Sequence, residues 1–108
     1  MFEVIYHDEA EAELKGLPLT VRVKFDRLIE KLEADPALRE PHAKPIGSGM
    51  YEVRTMGTDI SRGLWVYQAG QKIYMLRIFI KKSQKTPKFE IETAWRRLEE
   101  MLREIQNT

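Results

Sequence analysis

Cysteine is absent from these 108 residues, and histidine occurs only as His7 and His42. Without thiols there are no disulfides and no thiolate metal sites, and two isolated histidines lack the paired spacing of a zinc site. No metal and no cofactor is therefore expected. No apolar run approaches the roughly 20 residues that span a bilayer. The opening Met1-Phe2-Glu3-Val4 lacks the basic-then-apolar pattern of a signal peptide. No membrane association is expected, and a cytoplasmic protein is the simplest reading. There is no phosphate-cradling glycine loop and no Gly-x-Ser-x-Gly elbow, and Ser48, Ser61 and Ser83 have no visible base partner. Internal repeats and low-complexity stretches are also missing. A chain this short cannot fill a second core, so residues 1–108 are expected to form one domain.

What is present is an uneven distribution of charge. The net charge of +1 conceals three zones. Residues 1–40 carry six bases and ten acids, residues 41–88 nine bases and two acids, and residues 89–108 three bases and five acids. A basic middle between acidic flanks predicts one positively charged surface of the kind that meets phosphates. The ordinary alternative is a solvated, lysine-rich sheet face.

Periodicity places the elements. Phe2 to Tyr6 reads as a short strand. Asp8 is the expected cap of a first helix, with Glu11 at the capping-box position. After Gly16-Leu17-Pro18, the residues Val21, Phe25, Leu28, Ile29 and Leu32 fall at helical spacing, and Asp35-Pro36 ends that helix. Residues 36–49 hold three prolines and two glycines and read as a loop. Met50–Thr55, Ile60–Gln68 and Lys72–Lys82 read as strands whose short connections imply antiparallel pairing. Thr86 is the expected cap of a last helix, with Pro87 in its first position. Ile91, Ala94, Trp95, Leu98, Met101, Leu102 and Ile105 form its apolar stripe. The order β-α-α-β-β-β-α defines an α+β domain with a mostly antiparallel sheet. The helical stripes need one sheet face as their floor, which leaves other sheet surface for a ligand.

Candidate chemistry rests on cations at strand ends. Alternation puts Glu52 and Arg54 on one face, and Tyr51 and Val53 on the other. Arg62 opens the next strand. Arg77 lies inside the third, which ends in Lys81-Lys82 with Lys85 and Lys88 just beyond. If the strands are neighbours, four to six cations converge. Such a patch suits RNA cleavage, because attack of a ribose 2′-oxygen on the adjacent phosphate builds negative charge that guanidinium and ammonium groups stabilise. Each residue has a plainer role beside this one. Arg54 can pair with Glu52 or a helix acid, Arg77 can be a buried ion-pair member, and the lysines can blunt a strand end. Trp65, Tyr67 and Trp95 read as core, and His42 as incidental.

The segments Ile46-Gly47-Ser48-Gly49-Met50-Tyr51-Glu52-Val53-Arg54, Arg62-Gly63-Leu64-Trp65, Ile78-Phe79-Ile80-Lys81-Lys82-Ser83-Gln84-Lys85-Thr86-Pro87 and Glu90-Ile91-x-x-Ala94 resemble the phage-derived, HigB-like branch of the RelE/HigB toxin superfamily. The resemblance covers nearly the whole chain. It implies a ribosome-dependent, metal-independent endoribonuclease that cuts mRNA in the decoding site, the toxin of a type II toxin–antitoxin pair. The implied partners are a cognate helix-turn-helix antitoxin, the ribosome and mRNA. Carried onto matching positions, it makes Arg62, Lys82 and Lys85 the catalytic candidates, with Arg62 and Lys82 on the phosphate. Arg54, Lys81 and Lys88 become the RNA-binding candidates. Trp65 stands where the family often has tyrosine, and the last helix carries neither tyrosine nor histidine. Some fold relatives poison DNA gyrase without cutting RNA, so a non-enzymatic gyrase inhibitor and a binding-only member are the alternative readings.

Overall fold

The computed structural model describes residues 1–82 and 84–107. The elements are β1 (Glu3–Tyr6), α1 (Asp8–Lys15), α2 (Leu19–Ala34), β2 (Ala43–Gly47), β3 (Met50–Arg54), β4 (Ser61–Gln68), β5 (Lys72–Ile80) and α3 (Lys88–Gln106). They build one sheet in the order β1-β5-β4-β3-β2, parallel between β1 and β5 and antiparallel elsewhere. This is an α+β fold with one strand more than expected. Part of the Pro-rich segment read as a loop is β2, paired with β3 through Pro45 opposite Tyr51. The strand lies at the sheet edge, where half the backbone groups have no ladder partner and a missing N–H is tolerated.

Helices pack on both sheet faces, where one face was expected to serve as the floor for all the helical stripes. On one side Phe25, Leu28, Ile29 and Leu32 of α2 and Leu14 of α1 pack on Val53, Trp65, Ile73 and Met75. On the other, Ala94 and Met101 of α3 pack on Met50, Leu64, Val66, Tyr74 and Leu76. Burying a side chain of this size stabilises the fold by about 1.5–3 kcal/mol. The α2 side closes only because residue 63 is glycine. A Cβ there would stand 2.7 Å from Cζ of Phe25 and 2.9 Å from Sδ of Met75.

The strand β5 contains a bulge. Trp65 lies opposite Met75 and Leu64 opposite Arg77, so Leu76 is an extra residue without a partner. Before it, alternation sends Ile73 and Met75 toward α2; after it, Ile78 faces that side and Phe79 the α3 side. The extra residue therefore re-aims the end of the strand, as bulges do.

Two helix starts differ from expectation. The cap of α1 is His7, whose Nδ1 accepts from the Glu9 amide at 3.0 Å, while Asp8 is already helical. With Nδ1 accepting, Nε2 carries the proton and donates to Glu100 of α3 at 2.8 Å. At α3 the cap position is Pro87, without a side-chain cap. Thr86 is drawn away by a buried ion pair. No helix among the described residues is long and apolar enough to cross a membrane.

Candidate functional site

Antiparallel pairing brings the end of β3, the start of β4 and the end of β5 to one end of the sheet. Arg54 lies opposite Arg62, and Arg62 opposite Phe79. Like charges across a strand pair repel, and the arrangement survives only with a counter-charge. Glu52 supplies it.

Arg62 is 0% exposed and Glu52 1%. Nε of Arg62 stands 3.2 Å from Oε1 of Glu52, an ionic contact without hydrogen-bond alignment. The terminal nitrogens reach further, to the Thr86 hydroxyl at 2.6 Å and to the Gln84 carbonyl at 2.7 Å. Thr86 in turn donates to the Glu52 carboxylate. A buried ion pair costs several kcal/mol of desolvation per ion unless its remaining donors are satisfied, and here the segment after β5 satisfies them. Arg62, expected to stabilise the phosphate, borders the cleft described next, and its buried guanidinium holds residues 84 and 86 in place.

Around that latch opens a cleft of about 480 Å³ between the end of β5, the following segment and the first turn of α3. Lys81, Lys82 and Lys85 line it, together with Phe79, Phe89 and Glu90. Lys82 and Lys85 are exposed and Lys81 is half-buried. The backbone anchors Lys81, whose amide donates to the Ile60 carbonyl at 2.6 Å. Its ammonium is held below the usual lysine range by partial desolvation and by the guanidiniums of Arg62 and Arg54. Ser83, inside the sequence signature, lies outside the described residues.

The other two expected binding residues do not line this cleft. Lys88 is exposed at the first position of α3. Arg54 donates through Nε to the Pro41 carbonyl at 2.9 Å and borders a separate hollow with Lys24, Arg27, Lys31 and His42. The sheet end is thus cationic on two sides, with Lys81, Lys82 and Lys85 gathered on one and Arg54 on the other.

Glu13, Glu90 and Arg97 escaped the sequence reading, and Arg77 did not. Arg77, expected as an ion-pair member, sits at the back of the cleft, bound to Glu90 at 2.7 Å and Glu13 at 2.5 Å. Glu13 also takes two donors of Arg97 at 2.8 Å each and the Ile78 amide at 3.1 Å. Burial pushes the Glu13 carboxyl up, but the hydrogen bonds from Arg97 and Ile78 and the Arg77 charge outweigh it and hold it below the usual carboxylate range. Burial likewise works against the charge of Arg77 and Arg97, and their glutamate partners more than compensate. This network ties α1, β5 and α3 together behind the cleft. Among the described residues no three His, Cys, Asp or Glu side chains gather where they could hold a metal ion.

A sheet flanked by α1 and α2 on one face and α3 on the other, with its basic residues collected at one end, is the RelE-like fold. A double arginine-to-alanine variant of Escherichia coli toxin RelE in the free state matches at a TM-score of 0.68, with 12% identity over 89% of this chain and 96% of that one. The isolated E. coli RelE toxin in its P21 form matches at 0.63, with 14% identity over 89% and 98%. Identity this low makes the likeness one of fold. The sequence profile of phage-derived Gp49-like proteins matches residues 12–99, and the chain belongs to that family. No curated protein matches it by sequence.

Proposed function

We propose that this protein is the toxin of a type II toxin–antitoxin pair, of the HigB-like branch, acting in the cytoplasm as a ribosome-dependent mRNA endoribonuclease. The observation that carries the reading is the convergence of Lys81, Lys82 and Lys85 on one cleft whose shape is held by the buried Glu52–Arg62–Thr86 latch. In the step proposed, the ribose 2′-hydroxyl gives its proton to a water molecule and its oxygen attacks the adjacent phosphorus, the bond to the 5′-oxygen breaks, and a 2′,3′-cyclic phosphate and a 5′-hydroxyl result. Lys82 and Lys85 face the charge that develops on the phosphate. Lys81, protonated but more ready than an ordinary lysine to give its proton up, supplies the 5′-oxygen. Arg62 is a positioning residue for all three. The ribosome presents the mRNA, and a helix-turn-helix antitoxin neutralises the protein.

Primer extension on mRNA in a reconstituted translation reaction tests this. Wild-type protein is expected to cut only with ribosomes present, and Lys82→Ala to slow cutting about 10²–10³-fold, as loss of one charge-stabilising donor does. Intact mRNA with folded protein overturns the reading. Blocked DNA supercoiling in the same preparations would then identify a gyrase inhibitor.

A further inference from the structure

Phe89 is 63% exposed, although Ile91, Ala94, Trp95, Leu98 and Met101 of the same helix pack on the sheet. It lies two residues before Ile91, about 200° around the helix axis at 100° per residue, and so falls off the buried stripe. A single exposed apolar side chain is ordinary in itself. Its location is not, because among the described residues only Phe89 of the exposed large apolar side chains lines the cleft with Lys81, Lys82 and Lys85. Phe79 lies in the same cleft, half-buried, with the Arg77 guanidinium 5.5 Å from its ring centroid. That ring is already occupied on one side. Phe89 offers a face to solvent.

Two observations decide what that face meets. The cleft's one acidic lining residue, Glu90, is engaged by Arg77, so the lysines set the sign of the field and the ligand is anionic. Protein interfaces are depleted of lysine at their centre, whereas here three lysines line the same cleft as the ring. Cations beside a solvent-facing aromatic ring are the combination that holds single-stranded nucleic acid, with phosphates on the charges and a base on the ring.

We propose that Phe89 is a base-stacking residue, taking the face of an unpaired nucleobase next to the phosphate that Lys82 and Lys85 face. The assignment rests on the cleft being the RNA site. It gives the cleft a contact to the base in addition to its contacts to the backbone. Stacking tolerates every base, so Phe89 supplies affinity and register more than sequence choice.

The test is fluorescence anisotropy with a short single-stranded RNA and the same strand made abasic at its central nucleotides. Wild type, Phe89→Ala, Phe89→Trp and Lys82→Ala are compared, each with a matched thermal melt. Phe89→Ala is expected to weaken binding of the complete RNA about 5- to 100-fold, the range found for stacking aromatics. Phe89→Trp should retain it, and wild type and Phe89→Ala should bind the abasic strand equally. Lys82→Ala should weaken both strands. If Phe89→Ala binds the complete RNA as wild type does while Lys82→Ala fails, the cleft remains an RNA site and the stacking role is overturned. Equal weakening of complete and abasic strands overturns it too. Loss of a protein partner with RNA binding intact assigns Phe89 to that partner instead. Indifference of binding to both residues overturns the RNA reading of the cleft itself.

Discussion

Thr86 donates its hydroxyl to the carboxylate of Glu52 and accepts from Arg62, closing a triangle between β3, β4 and the segment that carries the lysines. Removing one corner leaves buried charge without a partner. Glu52→Gln is expected to lower unfolding free energy by about 3–5 kcal/mol, the usual cost of orphaning a buried ion. Thr86→Val, which removes only a hydroxyl, should cost about 1–3 kcal/mol. The double variant should cost less than the two singles together, because the sites share a partner. Denaturant unfolding of the four proteins measures this, and strict additivity would deny the triangle.

Gly63 lets the Phe25 ring of α2 approach the sheet closely. Gly63→Ala should destabilise by about 1–3 kcal/mol, the cost of overpacking a filled core, because the added methyl meets the Phe25 ring. Combining it with Phe25→Leu, which shortens the obstructing side chain, should recover part of the loss. An alanine variant as stable as wild type would show that the ring moves freely.

Acid stability should depend on Glu13. Its folded pKa lies below the unfolded one, so its contribution is complete above the ordinary carboxylate range, about pH 4.3. That contribution is lost as pH falls through the folded value. Wild-type stability is expected to be level near neutrality and to decline in acid. Glu13→Gln should be less stable at neutral pH and converge on wild type in acid. Parallel curves for the two proteins would remove Glu13 from the account.

Alkaline activity should report Lys81. As the proposed acid it works only while protonated, so cleavage should fall with rising pH, and at lower pH than an unperturbed lysine allows. Lys81→Arg preserves the charge but hands over a proton far less readily. It should bind RNA as well as wild type while cutting more slowly, with kcat reduced and KM little changed. An unaltered pH–rate profile in Lys81→Arg would leave the residue a purely electrostatic role.

Much of this architecture is legible in the residues. The apolar periodicities of α2 and α3 mark those helices, the turn residues mark most strands, and the basic run after β5 marks the cleft's lysines. Strand β2 is hidden because proline and glycine signal a loop, while an edge strand tolerates both. Burial of Arg62 is hidden for a different reason. Alternation places Glu52 and Arg54 on one face of β3, but which arginine the glutamate serves depends on register across to β4. The role of Thr86 is obscured by its position one residue before Pro87, where a helix cap is the obvious expectation. Phe89 goes unread in the sequence, because one aromatic side chain off the helix stripe carries no signal until the structure sets it in the cleft with the lysines.

The extra residue in β5 sets the two halves of that strand out of phase. If Leu76 took a regular place in the ladder instead of bulging, strict alternation from Ile73 and Met75 would turn residues 77, 79 and 81 toward α2 and away from the cleft. The first half of the strand would keep its core contacts while the cleft lost the side chains it draws from the second half. The strand thus carries two reading frames, one for folding and one for chemistry, and a single inserted position joins them.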